Sequence, residues 1–175
     1  MISKESKTNL LKQGLIKKCP VDYKAISNLI NRAYMDMKTA RRNIKDDEEC
    51  AYNYAYNAML RSGLALMFSE GFRPEIKDKH LTVVRFASSI LGDKFKRLIN
   101  DYDFMRKKRN RFIYEPDMPC SIKEAEDAMK TAEEFVNKIS NLIKKKILKK
   151  NLNFKGGVSC KPPRKVAACN NVFIP

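Results

Sequence analysis

Residues 46–74 read DDEECAYNYAYNAMLRSGLALMFSEGFRP, and this stretch decides the fold. Asp46 and Glu49 have the spacing of a capping box, and the acids at 46–49 suit the positive end of a helix dipole. Beyond them Tyr52, Tyr56, Met59, Gly63 and Leu66 recur every three or four positions, which predicts one face of an α-helix. Ala51, Ala55, Ala58, Leu60, Leu64 and Phe68 leave few polar positions elsewhere, so this helix is expected to be the most buried. It is predicted to stop near Glu70, where Gly71 can take a left-handed turn and Pro74 forbids continuation.

Working outward, the same stepping holds on both sides. Asp22 is placed to cap a helix whose inner face carries Tyr23, Ile26, Ile30, Ala33, Met37, Ala40 and Ile44. Downstream, Leu81, Val84, Ala87 and Leu91 predict a shorter helix, and Gly92-Asp93 reads as a stop followed by a fresh N-cap. Phe95, Leu98, Tyr102 and Met105 then predict another long helix, with 109 as the next inward position and Phe112 in the same register. Pro116 and Pro119 end it, and Ser121 with Glu124 forms a second capping box before Ala125, Ala128, Ala132, Phe135, Ile139 and Leu142. No strand-like alternation is sustained and no internal repeat is visible. Long amphipathic helices with short connections predict an all-α, antiparallel bundle of about five helices. Glu5 to Lys18 is expected to add a short helix, set apart by Pro20. The domain plan is thus an N-terminal extension over 1–20, partly helical, a bundle over 21–150, and a tail over 151–175. That tail contains Gly156-Gly157, Pro162-Pro163 and Asn170-Asn171 and is expected to be mobile.

Composition bounds the function. The chain has 175 residues, 43% hydrophobic and 32% charged, with a mean hydropathy of -0.50. That mixture builds a globular core and excludes collagen-like, mucin-like and largely disordered classes. Met1 to Lys7 leads into no apolar run, and no apolar stretch approaches the roughly 20 residues of a membrane span, so a cytoplasmic protein without membrane contact is expected. The formal net charge is +16, of which the segment from Lys144 to Pro175 carries +9 with no acidic residue, leaving +7 on residues 1–143. A polyanionic partner fits that balance. The five cysteines are widely spaced and His80 stands alone, which is no pattern for a zinc site; neither metal nor cofactor is expected. Reduced thiols suit the expected compartment.

The densest charge is Arg106-Lys107-Lys108-Arg109-Asn110-Arg111, five cations in six positions followed by Phe112 and Tyr114. Cations beside aromatics suit phosphate contact and base stacking, so Arg106, Lys107, Arg109 and Arg111 are the candidate nucleic-acid-binding residues. Arg109 on an inward stripe must be paired, reach solvent or lie at an interface. The plain alternatives are a guanidinium that snorkels or pairs with a neighbouring carboxylate, and a solvated basic helix end.

Tyr52-x-x-Ala55-Tyr56-x-x-Met59, Gly71-Phe72-Arg73-Pro74, His80, and the run from Arg106 through Tyr114-Glu115-Pro116 together resemble an HEPN domain over roughly 23–147. The resemblance implies a helical bundle that often dimerises, in a family rich in toxin ribonucleases and in partners of small nucleotidyltransferases. It also implies a catalytic arginine, commonly followed by a polar residue, then a histidine after four to six intervening positions. Arg109 and Asn110 match the beginning of that motif, but Tyr114, Glu115 and Pro116 occupy the places for histidine. Tyrosine, with a pKa near 10, is a poor proton shuttle at neutral pH. His80 is expected to have a structural role, its ring bonding a helix end or loop, in preference to replacing the missing base. Tyr52, Tyr54 and Tyr56 are expected in the core.

Three functions follow as expectations. The first is an HEPN-like module that binds RNA or nucleotide phosphate in a toxin-antitoxin or defence pair and lacks the catalytic histidine. The second is a metal-independent ribonuclease whose catalytic residues Arg109, Asn110 and Tyr114 meet across a homodimer seam. The third is a helical adaptor for an acidic protein.

Overall fold

The computed structural model describes residues 6–115 and 117–155. Its elements run α1 (Lys7–Lys12), β1 (Ile16–Lys18), α2 (Tyr23–Asn43), α3 (Glu48–Ser69), β2 (Phe72–Pro74), α4 (Lys79–Leu91), a single 3-10 turn (Asp93–Phe95), α5 (Lys96–Tyr114) and α6 (Ile122–Lys155). The fold is an all-α bundle, as the periodicity predicts, with a two-stranded ladder added at one end.

α3 is the central helix, and α2, α4, α5 and α6 all pack on it. Ala51, Tyr52, Ala55, Tyr56, Ala58, Met59, Ala65, Leu66 and Met67 are buried, on more than one face of the helix. Its cap is Asp47, whose carboxylate accepts from the Cys50 amide at 2.7 Å. The expected cap Asp46 is one residue early: the Asp46 and Asp47 amides both donate to the Asn43 carbonyl in the turn that closes α2, and it is the Asp47 carboxylate that reaches the first turn of α3. At the other end Gly71 has φ +79 and stops the helix as expected.

α2 begins as predicted, with the Asp22 carboxylate accepting from the Lys24 and Ala25 amides. It buries Ile26, Ala33, Met37 and Ala40, whereas Tyr23 is largely exposed. Asp36 is buried on the same side and pairs with Arg61 of α3 and Arg32 of α2. α6 starts on the predicted capping box: the Ser121 amide donates to Glu124 Oε2 and the Glu124 amide donates to Ser121 Oγ. Ala125, Ala128, Ala132, Phe135 and Ile139 then face inward, joined by Val136 and Ile143. The rings of Tyr102 and Phe135 meet 5.0 Å apart in the middle of the core.

Three expectations change. The ladder replaces a plain loop after Gly71: Ile16 pairs with Pro74, Lys17 with Arg73 and Lys18 with Phe72, antiparallel. Strands of three residues are too short to display an alternating pattern. The predicted helix over 5–18 contracts to α1, and Leu10 and Ile16 enter the core, so this segment is tied to the bundle despite Pro20. Asp93 opens the 3-10 turn, and the long helix after it begins at Lys96.

A fourth change concerns α5. Its buried positions are Leu98, Ile99, Tyr102, Asp103, Met105, Lys108 and Phe112, while Arg109 is half-buried. The inward register therefore steps from 105 to 108 to 112, three then four, and the inward cation is Lys108. Glu124 from the α6 cap makes this possible by accepting the Lys108 ammonium. Of the tail expected over 151–175, residues 151–155 continue α6, and 156–175, with Cys160 and Cys169, lie outside the described residues.

Candidate functional site

The basic run occupies the last third of α5, and its cations do not share one fate. Arg106 Nη2 lies 2.8 Å from Asp103 Oδ1, and Lys107 Nζ lies 2.9 Å from Asp103 Oδ2. Burial works to raise the Asp103 pKa, but the hydrogen bonds from Lys107 and Arg106 outweigh it and hold the carboxyl below its ordinary value. Lys108 pairs with Glu124, and its ammonium lies 5.8 Å and 5.6 Å from the ring centroids of Tyr52 and Phe112. Arg111 Nη2 is 2.7 Å from Glu115 Oε2, one turn on. Arg109 forms no ion pair with any described residue.

The guanidinium of Arg109 opens on a cleft of about 420 Å³ between α5 and the start of α4. Arg106, Arg109 and Asn110 form one wall, and Asp78, Lys79 and His80 form part of the other. The beginning of α4 suits an anion. Asp78 stands at its N-cap with φ 51, in the left-handed region that aspartate tolerates, and its side chain caps no amide. The first-turn amides of α4 consequently have no side-chain acceptor, and the positive end of that helix dipole adds to the charge of Arg106, Arg109 and Lys79.

His80 is the residue that sequence reasoning placed outside the site. Its Nδ1 lies 2.9 Å from the hydroxyl of Tyr56, a fully buried residue of α3, so its partner is a core side chain rather than a helix end or loop. The ring also lines the cleft beside Arg109. Burial lowers the His80 pKa below its ordinary value, and repulsion from Arg109, Lys79 and Arg106 lowers it further. Burial raises the Tyr56 pKa, against the pull of Arg106 and Arg109. At neutral pH the site therefore holds a neutral imidazole and a protonated phenol beside two guanidinium groups.

The other expected site residues stand apart from this cleft. Tyr114, the last residue of α5, is 81% exposed, and neither it, Lys107 nor Arg111 lines the cleft. A smaller hollow of about 220 Å³ between α5 and α6 is lined by Tyr52 and Lys108 but also by Asp101, Glu124 and Asp127, a poor surround for an anion. The signals that could have found His80 are that it is the chain's lone imidazole and that it follows a lysine at a predicted helix start. Among the described residues no cluster of metal-ligating side chains occurs, and no helix is long and apolar enough to cross a membrane.

No curated protein and no solved structure matches the chain. The sequence model of the HEPN domain matches residues 26–143, from the buried face of α2 to that of α6, and so takes in both walls of the cleft. With a match over more than half its length, and a bundle of the kind the motifs call for, the chain belongs to the HEPN domain family.

Proposed function

We propose that this protein binds RNA or a nucleotide phosphate through the α4–α5 cleft, as an HEPN component of a toxin-antitoxin or defence pair. The observation that carries the reading is Arg109, the cation of the 106–111 run without a carboxylate partner among the described residues, opening on a cleft with Arg106, Asn110 and His80. A guanidinium left unpaired beside uncapped helix amides offers a phosphate both charge and directed donors. Membership in the HEPN family points the same way, toward ribonuclease-like or nucleotide-related work. A homodimer and a nucleotidyltransferase-type partner belong to this reading as further proposals, as does a cytoplasmic location.

A second reading is a metal-independent ribonuclease. It is favoured by the imidazole of His80 beside Arg109, which gives the cleft a histidine from another helix in place of one after the arginine. Tyr114 then has no part in the chemistry.

The experiment is fluorescence anisotropy with a labelled 12-nucleotide RNA, with cleavage of the same RNA followed in EDTA. Arg109→Ala should weaken binding by about tenfold or more, the worth of a charge-assisted contact, while the wild type leaves the RNA intact. Unchanged affinity in Arg109→Ala removes the cleft as the binding site. Cleavage by the wild type that is lost in His80→Gln promotes the ribonuclease reading.

A further inference from the structure

We propose that Tyr56 locks His80 as the neutral tautomer with its proton on Nε2, making the imidazole a fixed hydrogen-bond donor to a phosphate oxygen in the Arg106–Arg109–Asn110 cleft. The inference rests on the cleft being the binding site and assigns to its histidine a binding task instead of a proton-transfer one.

The argument begins with the buried phenol. Tyr56 is fully buried, and among the described residues its hydroxyl has His80 Nδ1 as hydrogen-bond partner, at 2.9 Å. A buried O–H that fails to donate has lost its hydration with nothing to replace it. Its other close aromatic neighbour, Tyr102, lies 5.9 Å away between ring centroids and has a hydroxyl without a hydrogen-bond partner among the described residues. Tyr56 therefore donates, and Nδ1 accepts. The ring's one proton then sits on Nε2, the nitrogen left for the cleft.

The same bond opposes a proton shuttle. As a base, His80 would have to accept on Nε2, and its Nδ1 would then carry a proton aimed at the Tyr56 oxygen. The phenol would have to turn its own proton away inside the core. The groups that face the ring oppose that state as well. Arg106 and Arg109 on α5 and Lys79 on α4 repel an imidazolium; Asp78 is the acid on the cleft wall and Asp103 the acid near Tyr56. A neutral Nε2–H is instead complementary to an anionic oxygen held by the two arginines.

The test exploits the fact that His80 is the chain's lone histidine, so a full-length protein labelled with ¹⁵N-histidine gives the signals of this ring alone. Long-range ¹⁵N–¹H spectra of the wild type at pH 7 should show a protonated Nε2 and an unprotonated Nδ1. Tyr56→Phe, which keeps the ring, should let the two tautomers mix. With the 12-nucleotide RNA as probe, His80→Gln keeps a neutral donor and should bind within about threefold of wild type, whereas His80→Phe should lose about tenfold. An Nδ1–H tautomer or an imidazolium at pH 7, with RNA still bound through Arg109, overturns this inference and leaves the binding site standing. RNA affinity indifferent to Arg109→Ala overturns the binding site and this inference with it. Equal loss in His80→Gln and His80→Phe, with the Nε2–H tautomer seen, overturns the donor role alone.

Discussion

Lys108 is 9% exposed, and an ammonium that deep requires a carboxylate. Glu124 supplies it while closing the α6 capping box through Ser121, and the Lys108 hydrogen bond is the leading cause that holds the Glu124 carboxyl below its ordinary range. Glu124→Gln should cost about 1–2 kcal/mol, less than the 3–5 kcal/mol of a fully buried pair because its side chain is 43% exposed. Lys108→Met, by contrast, should stay within about 1 kcal/mol of wild type, since it removes the buried charge and keeps the packing on Tyr52 and Phe112. Urea melts of both variants check this, and equal losses would show that the pair itself stabilises the bundle. His80 behaves differently with pH. Its folded pKa is below the unfolded value near 6.5, so the unfolded chain takes up the proton first as pH falls. Its contribution to stability is therefore complete above about pH 6.5 and lost as pH drops through the lower folded value. Melts between pH 7.5 and 5 should show the wild type losing more stability than His80→Gln; parallel curves would mean that the ring is not held neutral.

Between elements, α3 and α4 approach closely at Gly63. A Cβ added there would stand 2.4 Å from Val83 Cγ1, on a buried and conformationally stiff side chain. Gly63→Ala gains up to about 1 kcal/mol of helix propensity, yet it should destabilise by roughly 1–3 kcal/mol because Val83 cannot yield without moving α4. A double-mutant cycle with Val83→Ala should recover part of the loss; strict additivity would place the strain elsewhere. The bundle helices were legible in the sequence because each writes its period over several turns, as Ile26, Ala33, Met37 and Ala40 do on α2. The ladder was not, since three residues carry no period and Ile16 reads as the end of a helix. Leu10→Ala should expose this difference. Loss of a fully buried leucine from α1 is expected to cost about 2–5 kcal/mol, while an autonomous N-terminal extension would lose almost nothing. The cleft was half legible. Arg109 and Asn110 stand out along α5, but their meeting with His80 depends on how α4 enters the bundle, which the left-handed Asp78 sets and no local pattern announces.

Across the whole molecule, net charge overstates the proposed binding surface. The formal +16 and the five cations at 106–111 suggest four or more phosphate contacts, but Asp103, Glu124 and Glu115 already neutralise Arg106, Lys107, Lys108 and Arg111 pairwise or by sharing. Of the five cations in that run, Arg109 is the one that can meet a phosphate without first breaking an ion pair with a described residue; Arg106, which lines the cleft, can turn to it from Asp103. Counterion release scales with contacts made, about 0.7 in the log-log slope for each contact to a single strand. Two contacts give a slope near -1.4, against about -3 if four residues of the run engaged. Titrations of the 12-nucleotide RNA between 50 and 300 mM salt separate the two cases. Arg109→Ala should bring the slope close to -0.7, whereas Lys107→Ala and Arg111→Ala, which stand outside the cleft, should leave it unchanged. Lys161, Arg164 and Lys165 lie beyond Lys155 and add a sequence-independent attraction of their own. The measurement is therefore repeated on a chain ending at Lys155, the last residue of α6. A slope near -3 that persists in that shorter chain would mean that the ion pairs along α5 open on binding, and that the basic run acts as one surface rather than as a single free arginine with a helper.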